Sequence, residues 1–100
     1  MNDKLPPVHP GEVLMEDFME PLNLSISDVA RALGVQPITI SLITRGKRAV
    51  SAEMAIRLAR WTKVDAQVWL GIQAKHDKEV AEKKFGKMIE KLVIPLAQAT

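Results

Sequence analysis

The sequence predicts an all-α chain of five helices, and three observations carry that expectation. Apolar residues recur at helical rather than alternating spacing. Capping residues, prolines and glycines punctuate those recurrences at short intervals. Of the 100 residues, 47% are hydrophobic, which suits one small domain with a thin core. Residues 1–100 are therefore read as a single domain.

The first helix starts at Pro10, Gly11 and Glu12, with His9 as a turn residue before it. Leu14, Met15, Phe18, Met19 and Leu22 form its apolar stripe, and Glu12, Glu16, Asp17 and Glu20 its outer face. Pro21 is expected to disturb or end the helix just after Met19. The second helix begins near Ile26, because Ser25 and Asp28 have the spacing of a capping box, in which each side chain satisfies a backbone N–H at the helix start. Val29, Ala30 and Leu33 are its buried stripe. Ala30 is small, which allows a close, steep helix crossing. Gly34 then stands where a left-handed residue ends a helix.

Gln36 and Pro37 restart the chain as a third helix, since proline in the first turn loses no hydrogen bond. Ile40 and Ile43 face inward and Gly46 closes it. Gln36, Pro37, Ile38, Thr39, Ser41, Leu42 and Arg45 are left on its start and outer face. Ser51 caps a fourth helix in which Met54, Ile56, Leu58, Ala59 and Trp61 are expected to be partly buried, with Arg57 and Arg60 displayed elsewhere. Asp65 caps a longer fifth helix through Val68, Trp69, Ile72, His76 and Val80. The tail at Val93, Ile94, Pro95 and Leu96 reads as extended.

Two short helices around a glycine turn, at residues 25–48, spell a helix-turn-helix. That motif places the outer face of its second helix against base edges in the major groove. Charge agrees. Residues 1–26 carry a net charge of −4, residues 27–63 a net of +5 and residues 64–100 a net of +1. The overall +2 thus hides a basic middle suited to phosphates beside an acidic first helix suited to a basic partner. Other classes are disfavoured. The absence of Cys removes disulfides and thiolate metal sites. Two histidines, His9 and His76, without carboxylates at ligand spacing make no zinc site. No Ser, His and Asp set suggests catalysis, and neither a cofactor motif, a membrane span nor a signal peptide is visible. The chain reads as cytoplasmic.

The segments HPGEVLMEDFMEPLNLS, SDVARALGV and ITRGKRAVSAEMAIRLARWTKVDAQVWLGIQ resemble the HigA (VapI-like) antitoxins of the Xre-type helix-turn-helix group over residues 9–84. His9-Pro10-Gly11-Glu12, Gly46-Lys47-Arg48, Glu53-Met54-Ala55 and Trp69-Leu70, in that order, make the match specific. The resemblance implies a lambda-repressor-like domain with a longer C-terminal helix and a short tail. It implies a homodimer that represses its own operon and neutralises a HigB-type, RelE-like mRNA endoribonuclease. Gln36, Ile38, Thr39 and Leu42 fall where relatives reach bases or phosphates, and Arg45, Lys47 and Arg48 fall beside the backbone. Pro37, Ser41 and, at the second helix's first turn, Ser27 complete the DNA-binding set. Trp69, Ile72, His76 and Val80 form an apolar stripe expected to meet a second copy, within a dimerisation region at residues 65–96. Ile38 and Leu42 are apolar where many relatives are polar or basic; they suit thymine methyls but cannot make bidentate hydrogen bonds. Two alternatives stay open: a stand-alone repressor without a toxin, and a protein-interaction module that has lost DNA binding.

Overall fold

The computed structural model describes residues 5–97 and holds, among them, five helices and no strand. Helix α1 starts over Pro10–Val13 and widens without a break into π-helical turns over Leu14–Met19. Helices α2 (Ile26–Leu33), α3 (Pro37–Thr44), α4 (Ala52–Thr62) and α5 (Ala66–Leu92) follow. The all-α expectation holds. The π turns have no counterpart in the sequence reading; their five-residue repeat brings Leu14 and Met19 to one side, and both are buried. The helix stops at Met19, where expected, although Glu20 itself keeps helical backbone angles before Pro21; Glu20–Asn23 turn the chain, with Asn23 at a φ of 55°.

The capping logic is realised bond by bond. The Asp28 N–H donates to Ser25 Oγ at 3.0 Å and the Ser25 N–H to Asp28 Oδ2 at 2.9 Å. That backbone donor holds the Asp28 carboxyl below its ordinary value. At the far end of α2, Gly34 takes a φ of 71°, so that its N–H reaches the Arg31 carbonyl and that of Val35 the Ala30 carbonyl. Gly46, at 72°, repeats the arrangement after α3, with the Gly46 N–H on Ile43 O and the Lys47 N–H on Leu42 O. Ser51 and Asp65 cap α4 and α5 through the N–H groups of Met54 and Gln67.

The core lies where α1, α2, α3 and α4 converge on the first turns of α5. Val29, Ile40, Ile43, Ala55, Leu58 and Trp69 are among its fully enclosed members. Two expected members are misplaced: Leu22 is 62% exposed, because α1 ends before it, and Ile56 is 63% exposed, because α4 turns Ala55 inward instead, between Met54 and Leu58. No single described helix is long and apolar enough to cross a membrane. Helix α5 runs on to Leu92, well past Val80, and its 27 residues give it a length of about 40 Å. Val93 then leaves the helix at φ −102° and ψ 115°, in the extended conformation expected of the tail.

Candidate nucleic-acid interface

Helix α3 is positioned by what lies beneath it. The chain direction turns by 117° between α2 and α3, within the steep range of helix-turn-helix motifs. Val29, Ala30, Ile40 and Ile43 are at most 1% exposed and fix the crossing from inside. Gly11 supports α3 from the other side. A Cβ placed there would collide with the carbonyl oxygen of Ile43, so α1 crosses the end of α3 at a distance only glycine permits.

The outer surface then collects the residues expected to touch DNA. Gln36, Pro37 and Ile38 line the start of α3 and are all exposed, while Thr39, Ser41 and Leu42, each half-buried, continue the face along the helix. Arg45, Lys47 and Arg48 are exposed just beyond its end, and Ser27 is exposed in the first turn of α2. Two of the cations are already oriented by this surface. Arg45 Nε donates to the Ser41 carbonyl at 3.3 Å, and Arg48 Nη1 to Thr39 Oγ1 at 3.4 Å. The second bond draws the loop side chain across the helix, so the loop after α3 and the outer face of α3 share one surface. Ile38, at 57% exposed, is the apolar point of that surface.

Three residues support this face without belonging to it, and spacing along the chain did not reveal them. Arg57 Nη1 donates to the carbonyls of Leu33 at 2.7 Å and Gly34 at 3.3 Å, closing the end of α2 while its other nitrogens hold Glu53. Gln73 is buried in α5 and accepts the Val50 N–H at 2.7 Å, while its Nε2 donates to Asp77 Oδ1 at 3.0 Å. His9 is more than a turn residue: it is the N-cap of α1, its Nδ1 accepting the Gly11 N–H at 2.9 Å. The backbone partners of Gln73 and Arg57 lie 23 or 24 positions away, so only the folded chain joins them.

The stripe expected to meet a second copy divides. Trp69 is withdrawn from it: at 1% exposed it fills the chain's own core, 5.9 Å from the Phe18 ring, because the first turns of α5 are the base of the domain. Ile72 is half-buried, and His76 lies edge-to-face on His9 with centroids 4.9 Å apart. Val80 is open to solvent, as are Phe85, Met88, Ile89 and Leu92 beyond it. Among the described residues no group of three or more His, Cys, Asp or Glu could hold a metal ion.

A short helix entered at a proline, crossed steeply by its neighbour and bordered by exposed cations defines a helix-turn-helix protein. The helix-turn-helix family model HTH_3 matches residues 15–69. Virulence-associated protein I of Dichelobacter nodosus is 39% identical over 95 residues, 95% of this chain and 86% of that protein. A structure of the Pseudomonas aeruginosa antitoxin HigA with the higBA promoter superposes with a TM-score of 0.88 at 40% identity, covering 91% of this chain and 99% of that one. The antitoxin GraA in complex with its operator gives 0.88 at 37% identity, covering 94% and 95%. The chain belongs to the Xre-type helix-turn-helix family, on the branch of the VapI and HigA antitoxins. That family is non-enzymatic.

Proposed function

We propose that this protein is an antitoxin that binds operator DNA through α3, represses its own operon and neutralises a HigB-type, RelE-like mRNA endoribonuclease in the cytoplasm. The observation that carries the reading is the outer face of α3, open to solvent and bordered by Arg45, Lys47 and Arg48 on a fold whose relatives were solved on DNA. Phosphate contacts by Arg45, Lys47, Arg48 and Ser27 position each subunit. Gln36, Thr39 and Ser41 hydrogen-bond base edges, and Ile38 and Leu42 meet thymine methyl groups.

A homodimer places two copies of α3 in successive major grooves, about 34 Å apart. The apolar residues left open along the outer stretch of α5, Val80 to Leu92, support a partner of the same kind, with Ile72 at the inner edge. Titration of the duplex upstream of the gene against salt tests the DNA reading. Affinity falls on the order of 10³-fold between 50 and 200 mM salt, and Arg45→Ala lowers the log–log slope by about one for each phosphate that the arginine had neutralised. Salt-insensitive binding, or none, favours a protein-interaction module instead. Co-expression with the neighbouring reading frame tests the toxin: relief of growth arrest supports an antitoxin, whereas a harmless neighbour leaves a stand-alone repressor.

A further inference from the structure

His9 stands where three parts of the molecule meet: the start of α1, the loop after α3 and the middle of α5. The residue is 5% exposed. Nδ1 accepts the Gly11 N–H at 2.9 Å, so the ring proton must reside on Nε2. That second nitrogen is left toward the loop, where the Arg48 backbone favours the protonated ring. A Cβ at Gly46 would come within 3.8 Å of the ring, so the glycine that ends α3 rests directly on it. His76 of α5 closes the other side, edge-to-face, with its Nδ1 3.0 Å from Asp77 Oδ1.

We propose that His9 is the positioning residue of the phosphate-facing loop Gly46–Arg48, clamping it between α1 and α5 and so setting how tightly the protein grips DNA. The proposal rests on the DNA-binding reading above. It also predicts a pH response. Burial first, and His76 second, hold the His9 imidazole below its ordinary value of 6.5, against the opposing pull of Asp77, Glu12 and the Arg48 carbonyl. Those are the titratable and charged groups facing it from α1, the loop and α5. Because the folded value is depressed, the clamp is complete above 6.5 and is lost as pH falls from there through the folded value. Protonation fills Nδ1, which can then no longer accept the Gly11 N–H.

His9→Asn separates the two bonds: asparagine still caps α1 but is too short to reach Arg48. The full-length variant is compared with the wild type by thermal melting and by titration of a mixed-sequence duplex at low salt across the same pH window. The expected result is a folded variant that binds about tenfold more weakly, the worth of one hydrogen bond, and that no longer responds to pH as the wild type does. A folded variant with wild-type affinity at every pH overturns the proposal. Should the variant not fold, NMR titration of the wild type decides: the amides of Gly46, Lys47 and Arg48 shift together with the His9 ring, and amides that stay still while it titrates refute the clamp. A wild type that binds no duplex at low salt is a different failure, that of the DNA-binding reading itself.

Discussion

Between Ser25 and Arg48 both helices are closed by specific backbone or side-chain bonds, and their inward residues are fully enclosed. Beyond Asp77 the chain continues as helix for fifteen further residues to Leu92 with none of them buried. The first region is shaped by its own chain. The second shows apolar side chains at Val80, Phe85, Met88, Ile89 and Leu92 that its own chain never covers. A helix in water keeps such residues along one stretch at a cost in solubility, so an uncovered set of this size marks a surface for association. The contrast sets a helix-turn-helix head closed by its own chain against an arm whose apolar residues that chain leaves open.

The largest expected effect tests the head. Gly11→Ala drives a methyl group into the Ile43 carbonyl, and backbone cannot step aside as a flexible side chain would. The variant should lose about 3 kcal/mol or more, read by denaturant unfolding. A loss below about 1 kcal/mol would mean that α1 and α3 slide easily, and the head is not the rigid part.

A smaller effect is expected at the junction of the two regions. Gln73→Leu keeps the volume of the side chain but leaves the Val50 N–H, now bonded at 2.7 Å, without an acceptor inside the protein. An unsatisfied buried donor costs about 1–3 kcal/mol. Hydrogen exchange gives the sharper reading: the Val50 amide should exchange faster while amides of α2 keep their protection. Uniform loss across both would show that the junction and the head unfold as one unit.

The head was legible in the sequence because its rules are local. Ser25 and Asp28 are three residues apart, Gly34 and Gly46 follow their helices closely, and Pro37 announces a first turn, so a window of a few residues holds each cause and its effect. The outer face of α3 was legible for the same reason, since whatever the helix does not turn inward must face out. The supports were not. Arg57 and Gln73 each act on backbone brought near only by folding, and nothing at their own positions announces it. Ile56 and Trp69 mark the other limit. Apolar character says that a side chain prefers cover, but the angular offset of one residue decides whether it receives it from its own chain. For Ile56 that offset points outward, and for Trp69 it points into the core rather than toward a partner.

The smallest effect on folding, and the sharpest test of the comparison, comes from Ile89→Lys. Ile89 is 47% exposed in the outer part of α5, and lysine keeps good helix propensity there. The stability of the monomer should change by no more than about 0.5 kcal/mol when measured at concentrations below those of self-association. The same charge placed in an apolar contact between two copies leaves an ammonium group without water, so sedimentation should show dimers giving way to monomers. Operator affinity should fall with it, because one recognition helix holds only one half-site, while the salt dependence per subunit stays as before. If the dimer persists, the contact between copies lies nearer the body, at Ile72 to Val80, and the outer arm is left for the toxin. If the monomer itself melts earlier, the arm belongs to the head after all, and the division drawn between them fails.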